Sequence, residues 1–315
     1  MISRTTVAIP LHDANRWLPV VKANVERLRD HATILISDAV GNDDALRGLR
    51  EVYAGHANIE FLGPRDIGSG WVRHCNDLLD RAATEYFMWL PQDDEIDADW
   101  IDGGENVLDR KPGAILAVGS IVPVDSRLDV PGRIELPLAF ADSDLSGRIS
   151  AGLAAALTGD ASHLGLVFRA VMRRGSACRL PEMPASGEWV DVLWALQMLT
   201  RGSFESIPEV EYRKRWYANS SHRGWRNMRQ HREMREEFIP DSLSDLGPKF
   251  ALATLASAWS AEFLELQDRL ALALAERDRA LLASATLRTA FENSRSWRLT
   301  RLLRALNPQR RRRPE

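Results

Sequence analysis

Three consecutive acids, Asp93-Asp94-Glu95, close the apolar run Tyr86-Phe-Met-Trp-Leu-Pro-Gln92. Neighbouring carboxylates repel, so a site that keeps them ionised needs a counter-charge. Hard oxygen ligands of this kind suit Mg²⁺ or Mn²⁺, with a diphosphate completing the coordination shell. The plainer alternative is that the acids open a helix and complement its dipole. Asp38 ends a second apolar run, Ile34-Leu-Ile-Ser37. A carboxylate there can accept hydrogen bonds from a base or ribose, or it can serve as a turn or N-cap residue before Asp43-Asp44. Arg213, Lys214, Arg215 and His222 offer cations for a phosphoryl group or, more plainly, a basic surface loop. His222 and His231 have no convincing ligand partner, so no histidine metal site is expected. No Gly-x-Gly-x-x-Gly and no Gly-Lys-Ser occurs, which removes the dinucleotide and P-loop readings.

The elements that position these residues are legible as an alternation. Thr6–Pro10, Thr33–Ser37, Asn58–Leu62 and Glu85–Leu90 read as buried strands, separated by segments with helical spacing such as Leu18-Val21-Val25-Leu28 and Leu46-Leu49-Val52-Tyr53. Strand and helix repeated in this way predict right-handed crossovers and a mainly parallel sheet, whose ligands bind at the carboxyl ends of its strands. The acidic triplet and Asp38 both fall at such ends. Further on, strands are expected at Gly113–Ile121 and around Gly165–Phe168, and a helix over Val190–Thr200 ended by Arg201-Gly202. From Pro248 to about Phe291 the pattern is helical, and Leu252, Trp259, Leu266, Ala273, Ala280 and Leu287 recur every seven residues in a heptad seam that fades after Arg277, which predicts a coiled-coil extension. The domain boundary is expected near 236–247, giving a catalytic body over 1–240 and a helical extension over 241–315.

Charge separates the same two parts. The net charge of −3 combines +7 in residues 294–315, which hold eight Arg and one Glu, with −10 elsewhere. An acidic body argues against nucleic acid as the main partner, since that affinity comes from neutralising phosphates. Two cysteines, Cys75 and Cys178, are too few for a disulfide scaffold or a thiolate metal site, so a reducing, cytoplasmic compartment is expected. No apolar run is long enough to cross a bilayer.

Four landmarks, taken in order over residues 4 to about 217, resemble the bacterial family 2 glycosyltransferases, which have the GT-A fold. Pro10 followed by Asn15-Arg16 resembles the family's first strand and its Asn-Arg turn, with about two extra residues between. Ile36-Ser-Asp38 resembles the strand that ends in a nucleotide-binding Asp. Gly70-Trp-Val-Arg-His-Cys-Asn76 has the family's Gly and Asn six apart, ahead of the metal strand. Leu90-Pro-Gln-Asp-Asp-Glu95 resembles the acidic metal motif, although many members read Asp-x-Asp-Asp where Pro91 and Gln92 stand here. The resemblance implies that Pro10, Asp38, Gly70 and Asp93 line a nucleotide-sugar donor. It implies Mn²⁺ or Mg²⁺ on Asp94, with Asp93 as a second metal contact or on the ribose, and Glu95 as a helix-opening bystander. It also implies a general base ahead of Gly202: Asp191, eleven residues upstream, or Glu188. The alternative role for Asp191 is first-turn helix charge, and Trp189 stacks on a sugar or joins the core. Gly165-Leu-Val-Phe-Arg169 resembles a strand near the acceptor, with Arg169 otherwise a solvated strand end.

The expected activity is therefore metal-dependent, inverting transfer of a sugar from a nucleoside diphosphate to an acceptor hydroxyl, in assembly of a surface polysaccharide or glycan. The alternative is a non-catalytic GT-A scaffold of such an assembly complex. Ser294-Arg-Ser-Trp-Arg-Leu-Thr300 resembles a segment that recurs in surface-polysaccharide glycosyltransferases. It begins a basic amphipathic helix that would lie on an anionic inner-membrane leaflet or, equally, cap the body or a dimer seam. The partners expected are a glycan or lipid-linked acceptor, the membrane surface and a second copy of the chain.

Overall fold

The computed structural model describes residues 3–38, 43–63, 70–124, 132–141, 144–157, 162–182, 190–215, 269 and 272–290. The chain divides into two units, Met1–Ala261 and Glu262–Glu315. The expected boundary at 236–247, the heptad positions before 272 and the basic tail lie outside the described residues.

The first unit is built on a seven-stranded sheet of order β3-β2-β1-β4-β6-β5-β7. Its opening half is the alternation that the sequence predicts: β1 (Thr5–Leu11), α1 (Leu18–Leu28), β2 (Thr33–Asp38), α2 (Asp43–Tyr53), β3 (Ile59–Leu62), α3 (Gly70–Arg81) and β4 (Tyr86–Trp89). Strands β3, β2, β1 and β4 are parallel neighbours. They are mainly apolar because both faces of the sheet are largely covered, and every residue of β4 is buried. Helix α1 starts with Pro19 in its first turn and buries Val21, Asn24, Val25 and Leu28 on one stripe.

The second half runs α4 (Ala98–Arg110), β5 (Ala114–Val124), α5 (Leu145–Leu157), α6 (Ser162–Val167), β6 (Val171–Arg173), α7 (Val190–Arg201) and β7 (Ser203–Arg215). β5 and β7 are parallel, while the three-residue β6 lies antiparallel between β4 and β5. Helix α4 reaches β6 closely because Gly104 has no side chain: a Cβ there would stand 2.6 Å from that of Val171.

Two expectations are corrected. The strand anticipated at Gly165–Phe168 is the end of helix α6 and the turn after it, and the strand follows as β6. Leu164, Val167 and Phe168 are buried at helical spacing, and so short an apolar run does not by itself distinguish the two structures. Nor do Asp93-Asp94-Glu95 open a helix. They occupy the loop after β4, and α4 begins three residues later with Asp97 at its N-cap.

Strand order reverses at β1, since β2 and β3 lie to one side and β4 to the other. The crevice beside the carboxyl ends of β1 and β4 is where an open sheet of this kind receives a ligand. Two side chains shape it. The Gln92 carboxamide receives the His12 backbone N–H (2.8 Å) and donates to the His12 carbonyl (2.7 Å), fastening the end of β1 to the loop after β4. Buried Asn24 of α1 donates to the Asp94 carbonyl at 2.8 Å and fixes the same loop from below.

Candidate active site

Asp94 follows β4 and is fully buried. Its Oδ2 accepts hydrogen bonds from Arg169 Nε (3.0 Å) and the Tyr212 hydroxyl (2.9 Å), and its Oδ1 accepts the Arg215 backbone N–H (3.0 Å). Burial pushes this carboxyl up, but Lys214, Arg169, the Arg215 amide and Tyr212 together outweigh it and hold Asp94 below its ordinary value. Arg169 comes from the turn between α6 and β6. It also donates to the Gly165 carbonyl (2.9 Å), stands 5.6 Å from the centroid of the Tyr212 ring, and has its own carbonyl held by Trp100 Nε1 at 3.2 Å. Tyr212 is buried against Trp100, and burial followed by Asp94 raises its hydroxyl well above the usual tyrosine value.

Strand β7 sorts its basic residues by its own period of two. Tyr212 and Lys214 are buried, while Arg213 turns to Asp97 with bonds of 2.8 and 3.0 Å. The Arg215 guanidinium pairs with Glu95, whose backbone also exchanges two hydrogen bonds with Arg213. Glu95 is thus a strut between the β4 loop and β7. Lys214 is buried on the Tyr212 side of the strand, in the field of Arg169, Asp94, Asp93 and Asp191; burial first, then Arg169, lowers its ammonium to about 8.

Asp191 belongs to the first turn of α7, half-buried, with Oδ1 accepting the Val192 N–H at 3.0 Å. The helix is anchored to β4 by aromatic packing one turn further on. Trp194 meets Trp89 edge to face at 5.5 Å, and Trp89 stacks on Phe168 at 4.9 Å. Asp191 therefore faces α6: a Cβ on Gly165 would stand 3.2 Å from its Oδ2. Burial raises the Asp191 carboxyl, and Arg169 and Lys214 oppose that rise. Half-buried Asp93 is likewise raised, by burial and then by Asp94. Three carboxylates, Asp93, Asp94 and Asp191, thus share two cations, Arg169 and Lys214.

The other expected residues sit further along the strand ends. Asp38 is buried at the end of β2, paired in register with Leu11 of β1, and Pro10 pairs with Ser37. Gly70 begins α3 with φ of +62°, a conformation that favours glycine. Asn76, six residues on, holds the Leu180 backbone through bonds of 2.9 and 2.6 Å. Glu188, Trp189, His222 and His231 lie outside the described residues.

The donor set on Asp94 does not suit a divalent cation. Both its oxygens are engaged by N–H and O–H donors, one of them a guanidinium, and among the described residues no group of three or more His, Cys, Asp or Glu is arranged to hold a metal ion. Asp93, its half-buried neighbour, has no such closed ring of side-chain donors among the described residues. Sequence reasoning missed Arg169 as an ion-pair partner, the clamp made by Gln92, and Tyr212 altogether. The signal for Arg169 was a lone cation inside the apolar run Leu166–Met172; for Tyr212 it was alternation with Lys214.

The architecture is shared with solved structures of S. aureus TarS. Its residues 1-349 superpose with a TM-score of 0.57 at 16% identity, over 82% of this chain and 72% of that one. The same region in complex with UDP-GlcNAc gives 0.58 at 15% identity, and in complex with UDP 0.57 at 16%, with the same coverage. The likeness establishes a shared mixed α/β fold: a mainly parallel sheet flanked by helices. No family model matches the sequence, and no curated protein matches it.

Proposed function

We propose that this chain is an inverting glycosyltransferase that moves a sugar from a nucleoside diphosphate to an acceptor hydroxyl. The observation that carries this reading is the convergence of Asp93, Asp94 and Asp191 on Arg169 and Lys214 beside the carboxyl ends of the strands. Support from outside the chain comes from a fold whose counterpart in TarS has been solved with UDP-GlcNAc.

In this reading Asp38, Pro10 and Gly70 border the nucleotide, with Asp93 towards the ribose or diphosphate. Asp191, with Glu188 as the alternative, takes the proton of the acceptor hydroxyl as its oxygen attacks the anomeric carbon. The bond from that carbon to the diphosphate oxygen breaks on the opposite face, and one displacement inverts the configuration. A carboxyl raised by burial is a stronger base than one in water, and this favours Asp191. Residues 294–315 would carry the chain to an acceptor at an anionic membrane surface, or the helical extension over 241–315 would pair it with a second copy, in assembly of a surface glycan.

Donor hydrolysis and transfer measured across a panel of nucleotide sugars test the reading. Asp191→Asn is expected to lower kcat by about a hundredfold or more while nucleotide binding persists. Unchanged turnover would remove Asp191 as the base. The sequestered state of Asp94 favours one second reading, a GT-A scaffold that binds a nucleotide without turning it over; absence of hydrolysis and transfer alongside nucleotide binding would select it.

A further inference from the structure

Aromatic rings as well as charges gather at the end of β4. Among the described tryptophans, Trp89, Trp100 and Trp194 are fully buried and Trp17 is half-buried, whereas Trp71 is 43% exposed. Single exposed apolar side chains are common on protein surfaces, but this one is held in place at the strand ends. Helix α3 follows β3 and runs back along the sheet, so its first turn lies at the carboxyl edge, where ligands bind. Trp71 stands in that turn, one turn ahead of Cys75, whose carbonyl accepts a hydrogen bond from Trp89 Nε1 at 3.0 Å; Trp89 is the last residue of β4. The Trp71 indole meets Phe168 edge to face at 6.1 Å, and Phe168 in turn stacks on Trp89 at 4.9 Å. Phe168 also joins Trp71 to the carboxylates. The next residue, Arg169, is anchored on Asp94, and Gly165, three residues earlier, adjoins Asp191 Oδ2.

We propose that Trp71 is a specificity residue whose indole face receives the C–H face of a pyranose ring, that of the donated sugar or of the acceptor. This rests on the donor reading above. A pyranose presents its axial hydrogens as an apolar, slightly positive surface, complementary to the negative face of an aromatic ring. Edge-to-face contact with Phe168 leaves at least one face of the indole uncovered by that ring, and an indole has only two side-chain torsions to immobilise. A nucleobase stacks on an indole too. Trp71, however, is fixed at the end of β4, while Asp38, the residue read as bordering the nucleotide, ends β2 on the far side of β1. That separation assigns the indole to the sugar.

The test is calorimetry on the full chain with UDP-GlcNAc, UDP-glucose, GDP-mannose and ADP-glucose, with the parent diphosphates, and with methyl glycosides of the same sugars added to the diphosphate complex. Trp71→Ala is expected to weaken the best-bound nucleotide sugar by about three- to tenfold if the ring is the donor's, or the best-bound methyl glycoside by that factor if it is the acceptor's. In both cases the Kd of the parent diphosphate should change by less than about twofold. Trp71→Tyr should retain most of the affinity for sugar, and Trp71→Leu, which keeps an apolar side chain against Phe168 but no flat face, should not. The Tyr and Leu pair decides the matter if Trp71→Ala fails to fold. Equal weakening of diphosphate and nucleotide sugar overturns the inference, as does unchanged affinity for both kinds of sugar; each leaves the donor reading standing. No binding of any diphosphate or nucleotide sugar by the wild-type chain overturns the donor reading, and the inference with it.

Discussion

The acidic pair divides its labour, because Asp93 and Asp94 are adjacent in sequence and opposite in surroundings. Removing the charge of Asp94 leaves Arg169 and Lys214 buried with one fewer counter-charge, and breaking a buried pair of this kind costs about 3–5 kcal/mol. Asp94→Asn should therefore lower the unfolding midpoint in denaturant markedly. Asp93→Asn should leave it unchanged or raise it slightly, since the fold already disfavours the Asp93 charge. A stable Asp94→Asn would contradict the anchor role. The sign with pH follows. Asp94 is held below its ordinary value, so its contribution is present above the usual carboxylate range and fades as pH falls through the folded value.

At the scale of elements, the parallel half of the sheet was legible because each of its strands is a short apolar run bounded by turn residues, with amphipathic helices between. The carboxyl ends, and with them Asp38 and the acidic run, followed from that alternation. The second half was less so. Leu164, Val167 and Phe168 fit a helical turn as well as a strand, and only the wedge of β6 between β4 and β5 settles which segment extends. Sequence also could not show that Gln92, a departure from the family pattern, closes a two-bond clamp on His12. Cutting that clamp with Gln92→Ala forfeits two hydrogen bonds, each worth about 0.5–1.5 kcal/mol. Because they join the two strand ends at the crevice, the expected outcome is a diphosphate Kd weakened by several-fold, with thermal stability lowered by a few degrees at most. A change in stability with no change in Kd would limit Gln92 to a structural role. Gly70 offers a control at the other border. Its φ of +62° makes Gly70→Ala destabilising by about 1 kcal/mol through backbone strain, since among the described residues no atom stands within 4 Å of the added Cβ.

For the whole molecule the question is what the second unit adds, since every site residue placed in the structure belongs to the first. No helix among the described residues is long and apolar enough to cross a membrane. Residues 272–290 are helical, and Leu272, Leu274, Leu281, Leu282 and Leu287 are exposed on them. At about 100° per residue these five leucines point in several directions rather than along one stripe. A helix apolar on that many sides gains by covering itself, and burying each leucine is worth about 1.5–3 kcal/mol. In the proposed pairing, the heptad positions Ala273, Ala280 and Leu287 would form the seam for a second copy. Sedimentation of the full chain is expected to report a dimer whose population rises with concentration, and the double change Ala280→Glu, Leu287→Glu on the seam to shift it towards monomer. Diphosphate affinity should be unchanged by that pair of substitutions, because the charge cluster lies entirely between Asp93 and Arg215. A chain that sediments as a monomer at all concentrations would exclude self-association.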